Sequence, residues 1–137
     1  MIEKILSQCA SFLFPSYCFV CKKEGSAGQS ICISCLASFP QPVDTPSPFI
    51  HALYSYKNHY VKKSIHAIKY FHRKDLLLPY AQAIAHKMKG KDIPSDAVII
   101  PIPMPRLRSL IRGYNHSHIL AKLISDATTL PVRTDIM

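Results

Sequence analysis

Cys18, Cys21, Cys32 and Cys35 stand in the pattern C-x2-C-x10-C-x2-C. A C-x2-C turn sets two thiolates on one metal ion, and two such turns complete a tetrahedral shell. Four sulfur ligands leave no open position for water, so the expected role is structural, with zinc as the cofactor. Lys22 and Lys23 follow the first pair and favour its thiolate form. The same cysteines are open to other chemistry: two disulfides, a redox pair or an iron–sulfur cluster. Cys9, the fifth cysteine, reads as a small apolar residue on a helix. The seven histidines are scattered. His116 and His118 are two apart on a predicted helix, so they do not share a face and read as ordinary polar residues.

A second stretch, VIIPIPMPRLRSLIRGYNHSHILAKLIS, runs from Val98 to Ser125. An apolar run passes into a Pro-rich loop with Arg106, Arg108 and Arg112, then into Gly113 and a helix start near Asn115. In open α/β sheets, ligands sit beyond the carboxyl ends of the strands. A guanidinium offers a planar fork for phosphate oxygens, Gly113 permits positive φ, and a helix start favours an anion. These residues form a candidate phosphate or pyrophosphate site. A solvated basic loop with a glycine turn accounts for them equally well.

The elements that would position these residues follow from the apolar spacing. Residues 2–13 predict a short amphipathic helix with Ile2, Ile5, Leu6, Cys9, Phe12 and Leu13 on one side, stopped by Pro15. Residues 16–38 form the cysteine module, with Gly25 and Gly28 in its loop. We divide the chain into residues 1–39 (helix and zinc ribbon), a Pro-rich linker at residues 40–48, PQPVDTPSP, and a domain at residues 49–137. Residues 49–56, FIHALYSY, predict an aromatic strand. Val61, Ile65 and Ile68 share a helical face, with Lys62, Lys63 and Lys69 off it. Leu78 to Lys89 predicts a helix with Pro79 in its first turn and Gly90 at its end. Residues 97–102, AVIIPI, predict a buried strand. Tyr114 to Ser125 predicts a helix burying Ile119, Leu120, Leu123 and Ile124, and a further strand is expected near Val132. The order of elements predicts an α/β unit with a parallel sheet.

Composition narrows the class of partner. Hydrophobic residues make up 48% of the 137, enough for a real core. Seventeen Lys and Arg stand against eight Asp and Glu, a formal charge of +9 that favours anionic partners. No stretch approaches the roughly 18 apolar residues of a membrane span. Glu3 and the polar Ser7 and Gln8 argue against a signal peptide. A cytoplasmic location is therefore expected, where paired cysteines favour metal.

The sequence resembles the competence protein F family (ComF, also called GntX). PIPMPRLRSLIRGYNHSHILAKLI is similar to the family's Pro-Val-Pro strand end, spaced arginines and Arg-Gly-Phe-Asn-Gln, with His116 at the usual Gln. YSYKNHYVKKSIHAIKY resembles the family's aromatic strand and the helix ending in Leu-Lys-Tyr, and a four-cysteine ribbon precedes both. The resemblance covers nearly the whole chain. It implies a zinc ribbon fused to a type I phosphoribosyltransferase-like, Rossmann-like domain, and a link to DNA uptake in natural transformation. Arg106, Arg108, Arg112, Gly113, Tyr114 and Asn115 would lie where such a domain approaches pyrophosphate. The family's acidic pair and Thr-Thr-Gly turn, which hold phosphoribosyl pyrophosphate and its magnesium, have no counterpart. Residues 49–137 would thus be the first half of the domain, in a truncated product with no catalytic residue and no transferase activity of its own. Magnesium and phosphoribosyl pyrophosphate would belong to the full-length domain.

Three functions follow: a ComF-type protein of DNA uptake, partnered by single-stranded DNA and competence machinery proteins; a phosphoribosyltransferase acting on a small molecule; or a zinc-ribbon module that grips single-stranded nucleic acid. The absent acidic pair argues against the second. Tyr54, Tyr56, Tyr60, Tyr70 and Phe71 could stack on bases, although aromatic residues on a strand and helix more often build a core.

Overall fold

A computed structural model describes residues 17–24, 29–41, 47 and 49–135. The predicted helix over residues 2–13, Cys9 and most of the 40–48 linker lie outside the described residues. The chain divides into two compact units, Met1–Phe39 and Pro40–Met137.

In the first unit, an antiparallel bridge pairs Tyr17 with Glu24. It closes a tight turn in which the Cys18 N–H donates to the Lys23 carbonyl at 2.9 Å and the Lys22 N–H to the Cys18 carbonyl at 3.0 Å. Lys22 takes a left-handed φ of 60° to complete the turn. A short helix, α1 (Ile33–Ala37), follows Cys32, its N-cap residue. Cys18, Ile31 and Phe39 are the buried apolar residues among those described in this unit.

The second unit is helical. Helix α2 (His59–Tyr70) starts where the Asn58 side chain accepts hydrogen bonds from the Tyr60 and Val61 N–H groups, satisfying donors that a helix start leaves free. Its buried residues Val61, Ser64, Ala67 and Ile68 recur at helical spacing. A 3-10 turn (Lys74–Leu76) leads into α3 (Leu77–Lys89), which holds Pro79 in its first turn and ends at Gly90. Two further helices are α4 (Arg106–Arg112) and α5 (His116–Thr128). Helices α3 and α5 pack together. The buried Ala81 and Ala85 of α3 and Ala121 of α5 are small enough for close backbone approach. Leu76, fully buried, plugs the turn between α2 and α3.

This architecture corrects the expected α/β fold. No strand or sheet occurs among the described residues, so the half-domain with a phosphoribosyltransferase-like parallel sheet is not what the chain forms. The two segments expected to be neighbouring strands do meet, but in a single parallel bridge, Ile99 with Val132. The Ile99 N–H donates to the Pro131 carbonyl at 2.8 Å and the Arg133 N–H to the Ile99 carbonyl at 2.9 Å. The next bond of a parallel ladder would need an N–H at residue 101, and the preceding one an N–H at residue 131. Both are prolines, which have no N–H to give. The ladder is therefore stopped on each side of its only rung. Val98, Ile100 and Ile102 are 39%, 44% and 76% exposed, so the run is not buried either.

Residues 49–56 also form no strand. Phe49 and Ile50, neighbours that a half-buried strand would place on opposite faces, are both exposed. Tyr54 instead packs edge-on against Tyr80 of α3, with ring centroids 6.0 Å apart. The segment expected to be a basic loop is largely helix α4. The last helix begins at His116, and Tyr114 lies in the turn before it.

Candidate metal centre and basic cleft

The ligand atoms of Cys18, Cys21, Cys32 and Cys35 all lie within 4.8 Å of one another. A tetrahedral four-thiolate zinc shell, with bonds of about 2.3 Å, sets its sulfurs roughly 3.8 Å apart. The Cys21 and Cys32 sulfurs are 3.9 Å apart, and all four cysteines are free thiols. The cluster fits such a shell.

Local structure delivers each sulfur. The turn closed by Tyr17 and Glu24 presents Cys18 and Cys21, while α1 presents Cys32 at its N-cap and Cys35 in its first turn. The Cys32 N–H donates to the Cys18 sulfur at 3.4 Å, and the Ser34 hydroxyl lies 3.2 Å from the Cys32 sulfur. Burial raises the Cys18 thiol pKa, but backbone N–H groups of Cys32, Cys21 and Val20 outweigh it and the net shift is downward. Cys32 is lowered to about 6, chiefly by the Ser34 hydroxyl. Cys35 is pushed up to about 12 by burial first, then by the neighbouring sulfurs of Cys32, Cys21 and Cys18. Sulfurs this close resist ionising together. A divalent cation at their centre removes that conflict.

In the second unit, Arg108, Arg112 and Asn115 line a cleft of about 600 Å³ together with Lys69, His116 and Ser117. Tyr70, Ile111 and the run Ile102 to Pro105 supply its apolar wall. The Arg112 guanidinium lies 5.1 Å from the centre of the Tyr70 ring, which holds it in place. Gly113 adopts φ +70°, the left-handed conformation that ends α4 and turns the chain toward α5. Tyr114 pins this elbow: its hydroxyl donates to the Ile68 carbonyl, and the Lys74 ammonium sits 4.5 Å from its ring centre. Burial raises the Tyr114 pKa.

The predicted anion-site residues thus divide. Arg108, Arg112 and Asn115 share the cleft, Gly113 and Tyr114 shape the elbow beside it, and Arg106 is exposed outside the lining. Asn115 plays a different part from the one expected. Its side-chain oxygen accepts from the Ser117 N–H at 3.0 Å and the His118 N–H at 3.4 Å. Two of the helix-start donors are therefore taken by the cap. Lys69, Arg108 and Arg112 are the cations that line the cleft.

Sequence reasoning missed Lys69 and His116. Lys69 lay off the predicted apolar face, and His116 read as an ordinary polar residue. The usable signal was position, since His116 directly follows the N-cap residue Asn115. His116 Nδ1 is buried without a hydrogen-bond partner. Its pKa is lowered by burial first, then by Lys69 and Arg112. Both of these cations also line the cleft, which makes its potential positive.

No helix among the described residues is long and apolar enough to cross a membrane. Comparison of the chain with known protein families, curated proteins and solved structures finds no match, so both sites rest on the residues that build them.

Proposed function

We propose that the chain is a zinc-stabilised, DNA-handling protein of the ComF type, which grips the phosphates of single-stranded DNA through the basic cleft of its second unit. The convergence of Lys69, Arg108 and Arg112 in one cleft with an apolar wall carries this reading. Arginine forks match phosphate oxygens, and an apolar wall beside them receives the less polar parts of a nucleotide. The formal charge of +9 adds a diffuse attraction. The resemblance to the competence family supplies the cellular setting, uptake of DNA in natural transformation, with competence proteins as partners. Zinc at the four cysteines would serve folding of the first unit rather than chemistry.

Fluorescence anisotropy with a labelled single-stranded oligonucleotide, at several salt concentrations, tests the reading. Affinity is expected to fall as salt rises, because each cationic contact releases a counterion. Lys62 and Lys63 are exposed on α2, away from the cleft. Replacing both by Ala should lower the salt slope by at most about two contacts. Arg112→Ala should weaken binding of pyrophosphate more than binding of DNA, since a fork grips one phosphate while DNA also draws on diffuse charge. Affinity that is flat with salt, or absent at low salt in folded protein, would sink the DNA-binding reading.

A further inference from the structure

Helix α4 is turned inside out. Its apolar residues Leu107, Leu110 and Ile111 fall on one face at i, i+3 and i+4 spacing, and they are 70%, 80% and 74% exposed. Ser109 and Arg112, on the opposite side, are the ones partly covered by the rest of the unit. A helix on a globular surface normally buries the apolar side and shows the polar one. Arg106 and Arg108 flank the stripe and are exposed. Between Asp96 and Asp126 the chain has no acidic residue at all.

We infer that α4 is a membrane-surface contact, laying Leu107, Leu110 and Ile111 into the headgroup boundary of an anionic phospholipid bilayer. Two features point to this occupant. Leu107 and Leu110 lie outside the cleft lining, and Ile111, which also lines it, is still 74% exposed, so the stripe stands open to a deformable apolar layer. The arginines at its border lie where lipid phosphates would meet them. A second copy of the chain is disfavoured, since a symmetric contact through this face would set arginine against arginine. A helix of two turns adds a shallow, reversible hold. It does not span.

The test uses the full, zinc-loaded chain with vesicles of phosphatidylcholine alone and of phosphatidylcholine mixed with phosphatidylglycerol. The sequence contains no tryptophan, so Leu110→Trp gives the only indole emission. Wild type should float with the phosphatidylglycerol vesicles and not with phosphatidylcholine alone, and the Leu110→Trp emission should shift to the blue on binding. The double change Leu110→Ser, Ile111→Ser should weaken binding at least about tenfold, and Arg106→Gln about fivefold, with circular dichroism unchanged in each. Failure to float overturns the proposal. So does flotation with an unshifted emission, which would reflect adsorption by net charge only. Self-association abolished by the serine pair would overturn it in favour of a face between two copies.

Discussion

His116 is a neutral residue in a positive setting, and this fixes how its titration bears on stability. Its pKa in the folded chain lies below the ordinary 6.5. The unfolded chain therefore takes up a proton there before the folded chain does. Its stabilising contribution is complete above the unfolded value and is lost as pH falls through it toward the folded one. The thermal midpoint should drop as pH goes from about 7.5 to about 5.5, and His116→Gln should flatten that drop. Thermal melts of both proteins across this range decide it, and equal slopes would show that His116 plays no part. The cysteine cluster was fully legible in the sequence, because metal ligation constrains spacing along the chain. Lys69 was not, because it reaches the cleft from α2 while the arginines come from α4, and only the fold brings the two together.

Among the elements, the three longer helices α2, α3 and α5 were the legible ones, while α4 read as a loop. Val61, Ser64 and Ile68 repeat on one side of α2, Asn58 and Asn115 cap, and Pro79 and Gly90 bracket α3. Helix signals lie within a few residues of one another, whereas a strand depends on what pairs with it. The runs at 49–56 and 97–102 have strand composition, yet one finds no partner among the described residues and the other meets a proline at each continuation of its ladder. Ser64 illustrates what helical periodicity leaves out. It is fully buried on α2, donates to the Val61 carbonyl at 2.9 Å and lies beside the Tyr80 hydroxyl of α3. Tyr80→Phe leaves Ser64 its backbone partner and should cost about 1 kcal/mol. Ser64→Ala strands the Tyr80 hydroxyl in the interior and should cost more, about 1–3 kcal/mol. Urea denaturation of the two variants would give the comparison, and equal losses would contradict this assignment of donors.

At the scale of the whole molecule, the two units draw on different sources of stability. The first has three buried apolar residues among those described and a cluster of four thiols; the second has ten buried apolar residues, from Val61 to Ile124. With so few buried apolar residues among those described, a metal at the four thiols would carry much of the first unit's stability. Purified protein should carry about one equivalent of zinc. Removing it with a chelator should abolish amide dispersion from residues around Cys18 to Cys35, while the helical circular dichroism of the second unit persists. Loss of both together would show that the second unit also depends on the metal. Cys32→Ser, which breaks one knuckle, should likewise unfold the first unit and spare the second.

Pro101 and Pro131 do more than end a ladder within one chain. Residues 97–102 are apolar and rich in β-branched side chains, the composition from which cross-β stacks grow, and Val98, Ile100 and Ile102 are exposed. A stack requires every backbone N–H along the segment to find a carbonyl in the next copy. Proline at 101, followed by another just past the run at 103, interrupts that register near its end. These prolines should therefore oppose fibril formation by the exposed side chains of the run. Pro101→Ala restores the missing donor. Incubated at equal concentration, this variant should bind thioflavin and lose monomer faster than wild type, and the Ile99–Val132 rung should gain a neighbour.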